Sequence, residues 1–189
     1  MAKKTFSRLS IGQGVFLIAS PFINDKYFRK SVILLADHNI DGSIGFIVNQ
    51  KTNLFLNQIL PEISGNWPIY YGGPVGNDSL FYFHTLGSKL EGARHIVDNI
   101  WWGGSFELLK KILLKESHIK KNDIKFFAGY SGWNQGQLDT EMEEFSWLLK
   151  PATTELVMLD EPNQLWRNII MDDPEYAIWA NMPDAIYLN

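Results

Sequence analysis

The stretch from Gly129 to Leu149, GYSGWNQGQLDTEMEEFSWLL, limits what this chain can fold into more than any other part of the sequence. An aromatic and β-branched run from Ile124 to Ala128 leads into it and predicts a β-strand. Three glycines follow and predict a tight passage, in which the backbone has positive φ or approaches another segment closely: Gly129, Gly132 and Gly136. The sequence therefore predicts a strand that ends in a glycine-rich turn.

A helix is predicted directly after this turn. Apolar residues recur at helical spacing and would form one buried face: Leu138, Met142, Phe145 and Leu149. Pro151 is expected to end the helix. Asn134 is a suitable N-cap, and Gln137, three residues later, can reach back to it as in a capping box. Polar and aromatic side chains consequently gather where a strand end meets a helix N-terminus.

Three stretches of the chain together resemble a known family. The run GYxGWxxGQLxxE, with a Trp after the helix, is similar to the signature of the AlgH-like (YqgE) family of bacterial proteins. The stretches from Ser20 to Gln50 and from Tyr70 to His84 resemble the remaining motifs, in the family's order. The resemblance implies an α+β fold, a domain of twisted, coiled, mostly antiparallel β-sheets decorated by a few α-helices. It implies less about function, because members are often labelled transcriptional regulators without an established mechanism.

Residue patterns outside the junction predict further elements. Asp41-Gly42 lies between two β-rich runs, Ser31–Ala36 and Ile44–Val48, which is typical of a β-hairpin. Other strands are expected at Val15–Ala19, Ile69–Tyr71, Leu80–Phe83, Arg94–Val97 and Glu155–Leu159, and a helical turn at Asn24–Phe28 with Asp25 as its cap. Helices are expected at Leu54–Leu60, at Gln164–Ile170, and from the cap Ser105 through Glu116.

The composition fits a single globular domain over residues 1–189, with 46% hydrophobic residues and no repeat or linker. The absence of cysteine excludes disulfides, cysteine nucleophiles and thiolate metal sites. The opening residues lack the apolar segment of a signal peptide, and no apolar run approaches the ~20 residues of a membrane helix. We therefore expect a cytoplasmic protein outside the membrane, with no cofactor and no bound metal.

Ser131 is the most plausible candidate for a catalytic nucleophile. A strand, the turn Gly129-Tyr130-Ser131-Gly132 and a helix follow one another as in a nucleophile elbow. The G-x-S-x-G pattern is broken, however, because Trp133 stands in place of the second glycine. A small-molecule hydrolase that uses Ser131 with His38 or His84 is one alternative, and a small residue required by a tight turn is the other.

The residues around the junction favour a binding site. A helix N-terminus offers free N–H groups to a polar ligand, and a neighbouring Trp offers a flat apolar wall. We predict that the junction residues line a concave site together with two histidine-bearing strand ends. The candidate ligand-binding residues are Ser131, Trp133, Asn134, Gln137, Glu141, His38, Asn39, His84 and Gly73. Helix capping and hydrogen-bonded structural histidines explain the same residues without a ligand.

Direct DNA binding has weaker support. The net charge is −4, and no helix-turn-helix pattern is visible. Acidic residues interrupt the one basic cluster, which consists of Lys110, Lys111, Lys115, Lys120, Lys121 and Lys125. The sequence favours a binding or regulatory protein whose partner is an unknown small polar ligand or another protein. Nucleic acid is disfavoured as a partner, and the oligomeric state is open.

Overall fold

The computed structural model describes residues 9–115 and 119–181. Within these ranges the chain forms ten β-strands and five α-helices. The strands are β1 (Val15–Ala19), β2 (Val32–Asn39), β3 (Gly42–Ile47), β4 (Lys51–Phe55), β5 (Pro68–Tyr71), β6 (Val75–His84), β7 (Arg94–Val97), β8 (Ile100–Trp102), β9 (Ile124–Asn134) and β10 (Trp147–Pro151). The helices are α1 (Leu56–Ile59), α2 (Phe106–Lys115), α3 (Gln137–Glu143), α4 (Thr154–Val157) and α5 (Leu165–Met171).

The ten strands form one strongly curled, mostly antiparallel sheet, which confirms the predicted α+β class. Its main path runs β10-β1-β2-β3-β9-β6-β8-β7. Away from this path, β5 pairs parallel with β9 and antiparallel with β4. Among the described residues, no helix has the length and apolar character needed to cross a membrane.

The predicted hairpin at Asp41-Gly42 is confirmed. β2 and β3 pair antiparallel with Asn39 opposite Gly42, so the turn itself consists of Ile40 and Asp41. The Asn39 side chain accepts a hydrogen bond of 2.8 Å from the Asp41 backbone N–H, which is the local reason for the turn. This hairpin sets the end of β2 and the end of β9 on either side of Gly42, because β3 pairs with both strands.

Glycines allow one backbone segment to cross another at the centre of the sheet. β5 pairs with one edge of β9, whereas β6 pairs with the opposite edge. The connection between them must therefore pass across β9, and Gly72-Gly73 make this passage. A Cβ on Gly72 would lie 2.2 Å from the Gly129 carbonyl oxygen, and one on Gly73 would lie 2.4 Å from the Ser131 backbone nitrogen. Only glycine fits at such distances.

The predicted close passage at Gly129 is confirmed from the other side of the same crossing. Gly129 has φ +69°, and a Cβ there would lie 2.7 Å from the Gly73 carbonyl oxygen. Gly136 also has positive φ, at +71°, and occupies the N-cap of α3 in place of the predicted Asn134. Gly132, the third glycine of the predicted passage, does not have a positive φ.

Two hydrophobic clusters pack on the sheet. The larger one joins buried side chains of β1, β2 and β3 to those of α5 and to Leu138 of α3. The smaller one joins β5, β6 and β9 to Leu56 of α1 and Leu109 of α2. The predicted helix after Ser105 is therefore confirmed as α2. Its cap is also confirmed, since Ser105 Oγ accepts from the Leu108 N–H at 3.3 Å; the predicted end at Glu116 lies outside the described residues.

The predicted length of the helix after the junction is wrong. β9 continues through the glycines to Asn134, and α3 ends at Glu143. The following segment, Trp147–Pro151, is a strand that pairs antiparallel with β1. Phe145 and Leu149 are therefore not on a helical face. The spacing of apolar residues suggested a helix, but this segment pairs along the outer edge of the buried strand β1, whose backbone groups need partners there.

One smaller prediction is also corrected, and one element was missed. The expected strand Glu155–Leu159 is instead the short helix α4, whose first turn is capped by the Thr153 side chain. The strand β8 was not predicted, because three residues carry too little periodicity to detect. The expected elements near Val15–Ala19, Arg94–Val97 and Gln164–Ile170 are confirmed. The helix expected at Leu54–Leu60 is present as α1, but it begins only at Leu56, because Leu54 and Phe55 belong to β4.

Lys125 connects the sheet to the α4 segment. Its side chain is only 4% exposed, and its Nζ donates to the carbonyl oxygens of Val48, Val157 and Leu159 at 3.0, 2.8 and 3.2 Å. Burial lowers the pKa of Lys125 to about 7. The amine therefore belongs to the interior, and Lys125 is not available to the basic cluster in which the sequence placed it.

We expect Gly73→Ala to destabilise the protein by about 3 kcal/mol or more, because the new Cβ meets the β9 backbone and the residue has φ +151°. Gly12→Ala is the matched control. Nothing lies within 4 Å of a Cβ at Gly12, so we expect a change within about 0.5 kcal/mol. Urea unfolding of both variants measures the difference, and equal midpoints would contradict the proposed tightness of the crossing.

Candidate functional site

Glu141 of α3 is the centre of a hydrogen-bond cluster at the predicted junction. Its Oε2 accepts from the indole N–H of Trp133 at 2.8 Å and from that of Trp147 at 2.7 Å. Its Oε1 accepts from the Gln137 amide at 2.9 Å, and the Gln137 Oε1 accepts from the Asn134 backbone N–H at 3.0 Å. One carboxylate consequently fixes α3 to the end of β9 and to the start of β10.

The two tryptophans enclose Phe28 in a compact aromatic group. Phe28 stacks on Trp133 with 6.3 Å between ring centroids and meets Trp147 edge-on at 5.6 Å. Trp133 and Trp147 are themselves 6.0 Å apart at an interplanar angle of 80°. Because both indoles are buried, their N–H groups need an acceptor inside the protein, and Glu141 supplies it.

The turn that carries Phe28 is held by Asp25, as the sequence predicted. The Asp25 Oδ1 accepts from the backbone N–H groups of Tyr27 and Phe28 at 2.7 and 3.1 Å. The Arg29 N–H donates to the Asp25 carbonyl oxygen at 3.0 Å and closes the turn. This local structure places the Phe28 ring against the tryptophans.

A cleft of about 540 Å³ opens between this turn and the C-terminal end of α3, and we call it the α3 cleft. One side is formed by Ser20, Phe22, Ile23, Asn24, Asp25 and Phe28. The other side is formed by Gln137, Glu141, Glu144, Phe145, Ser146 and Trp147. Its volume lies within the usual range for small-molecule sites, and its walls combine aromatic rings with a few polar groups, as such sites do.

A second cleft of about 480 Å³ lies on the other side of the junction, beside the β2–β3 turn. Its lining includes Asp37, Asn39, Asp41, Trp133 and Asn134. The predicted site residues are therefore divided between two clefts: Gln137 and Glu141 line the first, whereas Asn39, Trp133 and Asn134 line the second.

The two histidine-bearing strand ends do not meet. His38 Nδ1 shares a hydrogen bond of 2.7 Å with Ser43 Oγ, and Ser43 lies opposite Trp133 in the sheet. His84 lies opposite Ile124, at the far end of β9. The prediction that these ends come together is therefore wrong, because His38 lies beside the Trp133 end of β9, across β3, whereas His84 lies at the Ile124 end.

His84 has the environment of a structural histidine. It is fully buried, its Nε2–H donates to the Gly103 carbonyl oxygen at 3.1 Å, and its Nδ1 accepts from the Leu86 N–H at 3.2 Å. Burial lowers the pKa of His84, so the neutral ring is favoured. Both ring nitrogens are used in holding the chain after β6.

Ser131 lies at the backbone crossing and lines neither cleft. It is fully buried, and its hydroxyl donates to the Gly72 carbonyl oxygen at 3.1 Å, while Gly73 packs directly against it. His84 is seven residues away along β9 by register, which corresponds to roughly 23 Å. The crossing requires a small residue at position 131. This agrees with the alternative to catalysis in which the backbone geometry demands a small residue.

The sequence interpretation missed several residues that line the α3 cleft. Asp25 and Phe28 were assigned only to a turn, and Phe145 was assigned to a buried helical face. Trp147 was noted as the Trp that follows the helix, and this spacing was the available signal for its role. The contribution of Phe28 depends on the approach of residues 20–28 to α3, which local patterns do not show.

Comparison with known proteins places this chain among its relatives. The model of the family described as AlgH-like matches residues 16–173 of this chain. The chain belongs to the AlgH-like family. A UPF0301 protein of Parabacteroides distasonis is 38% identical over 181 residues, which is 94% of this chain and 91% of the relative. A UPF0301 protein of Cytophaga hutchinsonii is 36% identical over 180 residues, covering 94% of this chain and 98% of the relative.

Solved structures resemble this AlgH-like chain over most of its length. The solution structure of the AlgH protein from Pseudomonas aeruginosa has a TM-score of 0.69 and 26% identity, covering 87% of this chain and 90% of that one. A crystal structure of a Corynebacterium diphtheriae protein has a TM-score of 0.75 and 20% identity, covering 93% and 94%. These likenesses agree with the curled sheet described above.

We expect Glu141→Ala to lower the free energy of unfolding by about 3 kcal/mol, because two buried indole N–H groups lose their acceptor. Glu141→Gln keeps one oxygen acceptor and is expected to lose about 1 kcal/mol or less. Glu143→Ala, on the same helix but exposed, controls for the change in helix propensity. Urea unfolding followed by near-ultraviolet circular dichroism measures all three, and equal losses for Ala and Gln would contradict this role of the carboxylate.

Proposed function

We propose that this AlgH-like protein is a cytoplasmic binding protein with a regulatory role, and that the α3 cleft is its ligand-binding site. The observation that carries the proposal is the rigid wall of the cleft. Glu141 holds both tryptophans and α3 through hydrogen bonds, and Phe28 packs against both indoles. A wall of this kind is formed before any ligand arrives, so binding requires little ordering of side chains.

The lining of the cleft indicates the general chemistry of its ligand. Phe28 and Trp147 are aromatic residues of the lining, while Gln137, Glu141 and Ser146 contribute polar atoms. Such a lining suits a molecule with an apolar body and a polar head. A protein partner that inserts one side chain of this character would use the same surface.

The hydrolase alternative draws no support from the geometry. Catalysis by Ser131 would need a general base within hydrogen-bond reach of its hydroxyl. That hydroxyl instead donates to Gly72, and both candidate histidines bond elsewhere. We therefore propose a binding role in preference to a hydrolytic one.

The arrangement of lysines supports a regulatory role without direct DNA contact. Lys125 is buried, and Lys110 forms an ion pair with Glu62. Four lysines of the cluster remain exposed, Lys111 and Lys115 on α2 and Lys120 and Lys121 after it, which is a small positive surface on an acidic protein. Binding to DNA through phosphates depends on many such contacts.

Filling the α3 cleft is expected to abolish ligand binding. Binding is measured with a set of aromatic fragments that each carry one polar group, neutral, cationic or anionic, in ¹⁵N-labelled protein. We expect at least one fragment to shift the indole N–H resonances of Trp133 and Trp147. Asn24→Phe, at the cleft wall, should remove that shift, whereas Asn53→Phe, on exposed β4, should retain it. Absence of any shift across the set would remove the support for this site.

Titration with duplex DNA tests the proposal that the protein does not contact DNA directly. At low salt we expect weak binding that disappears steeply as salt is raised, with a Kd weaker than roughly 10⁻⁶ M at physiological salt. The variant Lys111→Glu/Lys115→Glu should reduce the low-salt binding alone. Sequence-specific binding that survives physiological salt and fails in a variant with Lys110, Lys111 and Lys115 changed to Glu would contradict the proposal.

A further inference from the structure

The titratable residues that line the α3 cleft all carry the same charge. Asp25 lies on one side, and Glu141 and Glu144 lie on the other. Among the described lining residues there is no lysine, arginine or histidine. A cleft with walls of one sign concentrates ligands of the opposite charge, since low-dielectric walls focus the field. The charge of the lining therefore favours a cation.

Phe145 stands at the mouth of this cleft in an unusual conformation. The Ser146 N–H donates to the Glu141 carbonyl oxygen at 3.0 Å, and the Phe145 N–H donates to that of Met142 at 3.1 Å. This pair of bonds is a Schellman motif, which ends a helix with one residue in the left-handed region. Phe145 occupies that position with φ +57°, where glycine is the usual residue.

The Phe145 side chain also gains little from packing. It is 75% exposed, so the ring lies largely in water beside the cleft. A bulky residue at positive φ is strained, and an exposed phenyl ring contributes little to stability. Glycine or asparagine would adopt this conformation with less strain, so the fold alone does not account for a phenylalanine at position 145. A contact between the ring and a ligand would account for it.

We infer that the α3 cleft selects small organic cations, and that Phe145 determines this specificity. The inference rests on the function proposed above and names the class of ligand: an ammonium or guanidinium group on an apolar stem. The stem packs on Phe28 and Trp147. The cationic head lies between the ring of Phe145 and the carboxylates of Asp25 and Glu144. A cation over an aromatic face is attracted by the negative charge density of the ring.

Other groups of the cleft hold this arrangement in place. The Asp25 carboxylate is anchored by the backbone N–H groups of Tyr27 and Phe28. The Glu141 carboxylate is anchored by its two indole donors and Gln137, so it supplies negative charge without moving. Glu144, at the C-cap of α3, is exposed beside Phe145 and is the carboxylate best placed to follow a ligand.

Three probes that differ in charge test the inference: phenethylamine, 2-phenylethanol and phenylacetate. Each probe has a phenyl ring on a stem of one or two CH2 groups, so differences in their affinity report on the polar head. The indole N–H resonances of Trp133 and Trp147 report binding in ¹⁵N-labelled full-length protein. We expect phenethylamine to bind with a Kd about tenfold lower than that of the alcohol, and the anion to bind more weakly still.

Variants at the cleft mouth separate ligand recognition from folding. Phe145→Gly and Phe145→Asn are expected to raise the melting temperature or leave it unchanged, because they relieve strain, and to weaken phenethylamine binding about fivefold. Phe145→Tyr keeps an aromatic ring and should retain the affinity. Glu144→Gln should reduce the preference for the amine over the alcohol.

The outcomes distinguish this inference from the proposed function. Equal binding of all three probes at the indole resonances would overturn the cation preference and leave the α3 cleft as a binding site. Phenethylamine binding that is unaffected by Phe145→Gly would overturn the role of Phe145. No shift by any probe would overturn the inference, and the broader fragment set, with Asn24→Phe as its control, would then decide the proposed function separately.

Discussion

The crossing of the β5–β6 connection over β9 is the constraint on which the rest of the fold depends. Two backbones meet there without intervening side chains, at Gly72-Gly73 on one segment and Gly129 on the other. The crossing lets β9 pair with β5 and β3 along one edge and with β6 along the other. β9 thereby becomes the strand that unites both hydrophobic clusters. Ser131 bonds to the Gly72 carbonyl oxygen inside the crossing and belongs to this structural role.

β9 also connects the crossing to the proposed site. β9 continues beyond the crossing to Trp133, whose indole reaches the carboxylate of Glu141. That carboxylate also binds Trp147 at the start of β10, and β10 pairs with β1. A rigid connection therefore extends from the centre of the sheet to the wall of the α3 cleft. The geometry of the cleft wall therefore depends on backbone pairing some distance away from it.

Much of the fold was predictable because its signals are local. Three features depend on residues that are close in sequence, and each is confirmed: the hairpin at Asp41-Gly42, the Ser105 cap and the apolar run of β1. The extent of the helix after the junction was not predictable in this way. Trp147–Pro151 has helical spacing, but its partner β1 is more than a hundred residues earlier in the chain. Long-range backbone pairing overrides local preference there.

The candidate site was predictable in part for the same reason. Gln137 and Glu141 lie one helical turn apart, so their placement on one side of α3 follows from the sequence. The assembly of Phe28, Trp133 and Trp147 depends on three segments that meet only in the folded protein. Phe145 was assigned to the core because it is apolar and correctly spaced, whereas the helix ends immediately before it. A mismatch between residue type and position of this kind is expected at functional sites.

The Lys125 amine has a consequence for the way this chain is synthesised. Its three acceptors are carbonyl oxygens of Val48, Val157 and Leu159, and two of these follow the lysine by 32 and 34 residues. β1 pairs with β2 on one edge and needs β10 as its outer neighbour. A nascent chain that has left the ribosome only as far as α3 still holds a hydrated lysine, and one edge of its β1 is unpaired. The sheet therefore cannot be completed by β1–β9 alone, because it also requires residues 147–159.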